Sequence, residues 1–362
     1  MDHSYEPILS GEERARRRAR RRAQRAAARN KKQQARRRRL LLQTAPFAIL
    51  AIVLVVFLLR NAQRPKEESE PEAPAVAPAA MLEVQEEPEE PVVYTISATA
   101  DTVQLDDTLP SAYAVVVDRA SGSILAEKSS ETIINPASMT KILTLLVAAE
   151  NLKSLEDTVT ITIDITDYCY VNDCSVVGYE VGETATVREL LYGTILSSGA
   201  DAALGLATYA AGSQDAFVEL MNEKLEELGL SETAHFTNCV GLYAPEHHCT
   251  VRDMAIMLSA AMDNELCREV LSAHTYETAP TEQHPEGQVL SNWFLRKIED
   301  HDTEQAVRAV GAKTGFVVQS GSCAASWGED SQGREFICVT GNAYSAWRAI
   351  YDHVELYKNY SG

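Results

Sequence analysis

Three short stretches of this 362-residue chain carry side chains that do chemistry when they meet. The first is Asn135-Pro136-Ala137-Ser138-Met139-Thr140-Lys141, followed at once by an apolar run from Ile142 to Ala149. Pro136 blocks a helix before it and favours one after it, so Ser138 is expected in a first turn, where backbone N–H groups are unpaired. Lys141 lies three residues on, which on a helix stacks both side chains on one face and brings the amine to the hydroxyl. A serine needs a base before it attacks a carbonyl, and a lysine serves once burial or a neighbouring cation lowers its pKa. The alternative is a serine that only caps a core helix, with Lys141 at its solvated edge. The second stretch, Ser198-Gly199-Ala200-Asp201, offers another hydroxyl at the end of an amphipathic helix, or simply a C-terminal turn. The third, Lys313-Thr314-Gly315, sits in a strand-like segment, where a lysine is costly unless it faces a polar cleft or lies on an edge.

The surrounding pattern says which elements would hold these residues. Tyr113 to Asp118 and Ser123 to Lys128 read as a hairpin across Arg119-Ala120-Ser121-Gly122, and the Ser138 helix runs on to about Asn151. Thr158 to Ile165 alternates Thr and Asp with Val and Ile, a half-buried strand pattern, before a loop with Cys169 and Cys174. Thr186 is the expected N-cap of the helix that stops at Ser197-Ser198-Gly199. Residues 200–230 and 250–272 continue as helices, and strands return over Arg308 to Val318, Ser320 to Gly328 and Arg334 to Gly341. A helix from about Ala343 to Tyr357 closes the chain. Strands at both ends with helices between them predict an α+β domain: an antiparallel sheet flanked by helices, with a mostly helical insertion.

Charge divides the chain. Residues 1–39 hold 15 Lys and Arg against 4 Asp and Glu, a net +11, and subtracting this from the whole-chain −19 leaves −30 for residues 40–362. An acidic body argues against nucleic acid as a partner. Residues 40–59 carry no charge and are long enough for one transmembrane helix, since 20 residues rise about 30 Å. The arginine-rich flank precedes that run, which predicts a cytoplasmic N-terminus and an extracytoplasmic body on a single-pass cell-membrane anchor. A cleaved signal peptide is the rival reading, and the long basic arm argues against it. Residues 60–108, rich in Pro, Glu and Ala, are the expected linker, and 109–362 the catalytic domain. Val92 to Ile96 is an apolar patch that would dock on that domain as a short strand.

The order of the three stretches, S-x-x-K, then Ser-Gly 60 residues later, then Lys-Thr-Gly in a late strand, resembles the penicillin-binding proteins and serine β-lactamases. Further text, including Thr186-Val187-Arg188-Glu189-Leu190-Leu191-Tyr192-Gly193, His235-Phe236-Thr237-Asn238 and Gly311-Ala312-Lys313-Thr314-Gly315, is similar to the D-alanyl-D-alanine carboxypeptidases over about residues 109–357. That resemblance implies a β-lactamase/DD-peptidase-like fold, no cofactor or metal, peptidoglycan stem peptides ending in D-Ala-D-Ala as substrate, and β-lactams as covalent inhibitors. It implies Ser138 as nucleophile, Lys141 as base and Ser198 as proton relay to the leaving amine. Lys313 and Thr314 would bind the terminal carboxylate, and Gly315 would let substrate backbone approach. The amides of Ser138 and Phe316 would form the oxyanion hole.

One position departs from the pattern: the second motif is usually Ser-x-Asn, and here Ala200 takes the place of an amide that normally bonds the lysine and the substrate. A weakened relative that mainly binds is therefore one alternative. A β-lactamase is another, against which Glu232-Thr233-Ala234-His235-Phe236 lacks the asparagine of the class A deacylation loop. Of seven cysteines, Cys169 with Cys174 and Cys239 with Cys249 could close small loops. Cys323 and Cys338 face each other in the expected hairpin as a strained bridge or two core thiols, and Cys267 is left over. His247, His248 and Cys249 lack the companions of a metal motif, and His248 is expected beside the cleft.

Overall fold

The computed structural model describes residues 94–304 and 307–361. The basic arm, the apolar run 40–59 and the linker as far as residue 93 lie outside the described residues. Among the described residues no helix is long and apolar enough to cross a membrane.

Six strands form one sheet: β1 (Ser97–Gln104), β2 (Tyr113–Asp118), β3 (Ser123–Lys128), and, late in the chain, three more separated from these by the helices and by two small ribbons. The ribbons pair β4 (Thr158–Thr160) with β5 (Thr184–Thr186) and β6 (Thr275–Glu277) with β7 (Val289–Ser291). The late strands are β8 (Val307–Val317), β9 (Gly321–Asp330) and β10 (Glu335–Ala343), and the sheet order is β1-β3-β2-β10-β9-β8. β1 runs parallel to β3, while the other pairs are antiparallel. The expected hairpin has the observed bounds, and the fold is α+β. The linker ends earlier than expected, because β1 adds a parallel edge strand and Tyr94 bonds the Asp263 carboxylate at 2.6 Å. The docked strand thus lies just after Val92 to Ile96 rather than on it.

Nine α-helices follow among the described residues: α1 (Lys141–Glu150), α2 (Ile163–Val171), α3 (Val187–Leu196), α4 (Ala200–Ala211), α5 (Gln214–Glu227), α6 (Val251–Asp263), α7 (Glu265–Ser272), α8 (Trp293–Ile298) and α9 (Ala346–Tyr360). Alternation along β2 sends Val115 and Val117 into a large core with α1 to α7, and Ala114 and Val116 into a smaller one with α8 and α9. Both faces of the sheet are therefore covered. Thr186 caps α3 as expected, in a reciprocal capping box with Glu189, and Thr250 with Asp253 does the same for α6.

The strand expected over Thr158 to Ile165 is cut to three residues. Thr162 accepts from the Ile165 amide and starts α2, so the Thr side chain wins as a cap over its β-propensity. Cys169 consequently lies in a helix rather than a loop. All seven cysteines are free thiols. Cys323 and Cys338 do not face each other: Cys338 pairs with Ser326, and the two thiols enter cores on opposite sides of the sheet, which rules out a bridge between them. Cys169 and Cys174 come together at the end of α2, where Asp173 takes φ 52° and the Cys174 amide donates to the Cys169 carbonyl at 3.0 Å.

A bulge decides which face the late lysine uses. Between Ala309 and Gly311, β8 places two steps against one step of β9, leaving Val310 without a register partner. Ala309 and Ala312, three residues apart, both face the smaller core. Lys313 is thereby turned to the opposite face, toward the turn before α1 that carries Ser138 and toward Ser198 just beyond α3. Just beyond the bulge a Cβ on Gly311 would lie 1.9 Å from the Trp327 ring. Gly311→Ala is expected to destabilise the chain by about 2 kcal/mol or more, read as a lowered urea midpoint at unchanged m-value; an unchanged midpoint would show that the bulge relaxes freely.

Candidate active site

Ser138 sits in a single 3-10 turn, Ala137–Thr140, that leads directly into α1. Ala137 just before it has φ 49°, a left-handed conformation that costs a non-glycine residue about 1–2 kcal/mol. The surroundings hold it there. Asn135 Oδ1 accepts from the Ala137 amide at 3.0 Å, and Asn135 Nδ2 donates to the His247 carbonyl at 2.8 Å. Gly241 packs so close that a Cβ would lie 2.0 Å from the Ala137 carbonyl oxygen, and at φ 81° it is a position glycine favours. On the other side a Cβ on Gly315 would meet Pro136 O at 2.8 Å and the Ser138 amide nitrogen at 3.0 Å. Strand β8 is thus pressed against the turn, which sets the Ser138 amide beside the segment carrying the Phe316 amide.

Lys141 Nζ donates to Ser138 Oγ at 3.1 Å and to the Val240 carbonyl at 2.6 Å. Its side chain is 1% exposed, and burial pulls its pKa down to about 8. Lys313 Nζ donates to Ser198 Oγ at 2.9 Å and to the Thr314 carbonyl at 2.7 Å. Burial, reinforced by the Lys141 charge, holds Lys313 well below the usual lysine range. Among the described residues neither amine has a carboxylate within ion-pair distance. Ser198 follows α3 with φ 53°, another left-handed non-glycine residue. The four side chains of the three motifs, 60 and 115 residues apart in sequence at their successive serines and lysine, converge on one place.

A cavity of about 460 Å³ opens there, lined among others by Ser138, Ser198, Thr314, Gly315 and Phe316. Its wall also includes Ser175, which the sequence did not single out. The Asp201 carboxylate places this segment by accepting from the amides of Val177, Gly178 and Tyr179 at 2.8, 2.9 and 3.2 Å, while the Ala200 amide donates to the Ser175 carbonyl at 2.8 Å. Ala200 itself is buried and presents no polar group. Trp293 and Tyr344 complete the outer lip.

Two supporting residues were also illegible as such. Asn238 Oδ1 gathers the amides of Val240, Gly241 and Leu242, which aims the Val240 carbonyl at Lys141. His247, rather than His248, is the histidine that matters to the turn. Its Nδ1 accepts from the Thr237 amide at 3.0 Å, so Nε2 carries the proton and donates to Thr140 Oγ1 at 2.8 Å. Burial pushes its pKa down to about 3, which keeps it neutral. Both ring nitrogens are committed to protein partners. His248 pairs with His235 in a short bridge away from the cavity lining.

The family model described as D-alanyl-D-alanine carboxypeptidase matches residues 99–344. The chain is 36% identical over 152 residues to the D-alanyl-D-alanine carboxypeptidase DacF of Bacillus subtilis, covering 42% of this chain and 39% of that one. It is 31% identical over 236 residues to the D-alanyl-D-alanine carboxypeptidase of Streptomyces sp. strain K15, covering 63% of this chain and 80% of that one. With DacC of Escherichia coli also matched over 42% of its length, the chain spans about two fifths of the first curated relatives and four fifths of the Streptomyces protein. The crystal structure of the Streptomyces K15 DD-transpeptidase superposes with a TM-score of 0.62 at 27% identity, over 68% of this chain and 95% of that one. A D-alanyl-D-alanine carboxypeptidase from Mycobacterium tuberculosis gives 0.61 at 27% identity, over 72% and 96%.

A base must lose its proton before it can accept one, so the reactivity of Ser138 should follow the neutral fraction of Lys141. Phosphonylation of the Ser138 hydroxyl by a fluorophosphonate is expected to rise with pH around a midpoint near 8 and level off above it. A midpoint at or above the ordinary lysine value would refute the burial effect.

Proposed function

The chain belongs to the D-alanyl-D-alanine carboxypeptidase family, and from that premise we propose that it removes the terminal D-alanine from peptidoglycan stem peptides through an acyl-enzyme on Ser138. Lys141 takes the Ser138 proton as Oγ adds to the penultimate carbonyl carbon. The oxyanion that forms lies at the Ser138 and Phe316 amides. Collapse breaks the C–N bond to the terminal residue, and Ser198 relays a proton to the departing amine. Water then adds to the ester carbon, with Lys141 again taking a proton, and the shortened stem leaves.

The observation that carries this reading is the pair of buried lysine amines with no carboxylate partner among the described residues, each bonded to a serine hydroxyl at one cavity. A buried cation left unpaired is costly, and the C-terminal carboxylate of a D-Ala-D-Ala stem is the counter-charge that Lys313 lacks. Binding that carboxylate restores the Lys313 charge and fixes the scissile carbonyl beside Ser138. β-Lactams, which carry a carboxylate and a reactive carbonyl in the same relation, acylate Ser138. The catalytic domain works outside the cell membrane, held by the apolar segment 40–59 and the acidic linker.

Release of D-alanine from a free pentapeptide stem, followed by mass spectrometry, tests the proposal. Ser138→Ala is expected to abolish release and labelling by fluorescent penicillin. Lys313→Ala is expected to lower kcat/KM by about 10- to 100-fold, the worth of one charge-assisted bond. A wild-type chain that forms the penicillin adduct but releases no D-alanine would make it a binding relative, and rapid turnover of the β-lactam nitrocefin would make it a β-lactamase.

A further inference from the structure

The outer lip of the cavity continues into an exposed row of aromatic rings that the chemistry at Ser138 does not use. Trp293, which lines the cavity, meets Trp347 edge-on at 5.1 Å; Trp347 stacks with Tyr351 at 6.1 Å; Tyr351 meets His301 at 5.1 Å. Trp347 and Tyr351 are four residues apart on α9 and so share one face. Trp293, Trp347 and Tyr351 remain 37%, 42% and 37% exposed, and Tyr344 at the lip is 79% exposed. Large aromatic side chains held in contact with one another yet open to solvent form a patch of the kind that marks an interaction surface.

We propose that this row binds the glycan: a chain of β-linked N-acetylhexosamine rings stacked on Trp347 and Tyr351. The proposal rests on the stem-peptide reading of the cavity. A pyranose ring presents axial C–H groups with partial positive charge, which suit the negative faces of aromatic rings, and its hydroxyls stay wet at the edges, as the indole and phenol edges here do. Continuity fixes the direction. A stem anchored by its carboxylate at Lys313 leaves the cavity across Trp293 and Tyr344, and five extended residues reach about 17 Å, enough to set the attached sugars on the row. Charge argues against an anionic membrane surface. Lys297 and Arg348, which lie over one face of the Trp347 and Tyr351 rings at 5.7 and 5.8 Å, are matched by Asp300 at 3.8 Å and by Asp352 and Glu355 at 2.6 and 2.7 Å. The row therefore carries no surplus positive charge for lipid headgroups to meet.

The test uses the full chain carrying Ser138→Ala, titrated with tetra-N-acetylchitotetraose and followed by tryptophan fluorescence. Trp327 is fully buried, so the response comes from Trp293 and Trp347. Saturable binding is expected, weakened roughly tenfold or more by Trp347→Ala with Tyr351→Ala and retained by Trp347→Tyr, which keeps a stacking face. In the otherwise native chain the double variant should lose a similar factor of kcat/KM on stems still attached to glycan and none on free pentapeptide. Absence of saccharide binding, equal loss on both substrates, or an effect of the variant confined to phosphatidylglycerol vesicles or to self-association would overturn the proposal. If the chain releases no D-alanine from either substrate, the catalytic reading fails, while the saccharide titration still decides the glycan site.

Discussion

Two lysine amines buried in one cleft, bonded to hydroxyls and carbonyls and, among the described residues, with no carboxylate at ion-pair distance, are the constraint on which the rest of this structure depends. Each would lower its free energy by gaining an anion or losing a proton, so burial draws both amines below the usual lysine range. Lys141 stands at the first position of α1, where the helix dipole adds its positive end to the effect of burial. The Ser138 hydroxyl and the Val240 carbonyl satisfy its donors without cancelling its charge. An amine whose pKa burial brings down to about 8 is mostly protonated at neutral pH, yet it supplies a free-base fraction far larger than an ordinary lysine does.

The groups that position this pair are neutral or spend their charge elsewhere. His247 is kept neutral by burial and works as a strut between Thr140 and the Thr237 amide, so it adds no third positive charge to the cleft. Asp201 is buried close enough for its field to act on Lys141, yet its oxygens are occupied by the amides of Val177, Gly178 and Tyr179. A carboxylate committed to backbone donors can order a loop without forming the ion pair that would silence the base. The two serines, meanwhile, sit at or beside left-handed residues, Ala137 and Ser198, that the packing of Gly241, Gly315 and the end of α3 enforces.

Much of this was legible in the sequence because the chemistry-bearing residues occupy local signals: a proline before Ser138, an amphipathic helix ending at Ser198, a hydrophobic strand around Lys313. The hairpin over Tyr113 to Lys128 and the Thr186 cap could be read for the same reason, since turns and caps are decided within a few residues. What could not be read depends on distant pairing. The face taken by Lys313 is set by the bulge at Val310, which only the register against Trp327 and Gly328 reveals. The β9–β10 register, which sets Cys338 opposite Ser326, separates Cys323 from Cys338, which a simple folding-back of the two strands had brought together. β1 escaped notice because Ser97 to Gln104 is mostly exposed and polar; its edge position supplies the hydrogen bonds that its side chains do not advertise. The part played by His247 was hidden because sequence shows its ring nitrogens and not the Thr237 amide and Thr140 hydroxyl that occupy them.

Ala200 is the sharpest departure from the pattern that this chain resembles, and its surroundings say where the loss falls. An asparagine there would serve two clients, the lysine base and the substrate. The lysine is already provided for: Asn238 gathers three amides so that the Val240 carbonyl meets Lys141 at 2.6 Å, an arrangement that owes nothing to residue 200. The backbone of Ala200 is also in use, holding the Ser175 carbonyl and with it a segment whose serine lines the cavity wall. With a methyl in place of the amide, the Lys141 bonds to Ser138 and to the Val240 carbonyl are still made. On that physical reading the substitution leaves the lysine contacts untouched, and Ser175, held by the Ala200 amide, is a hydroxyl-bearing residue on the adjoining cavity wall.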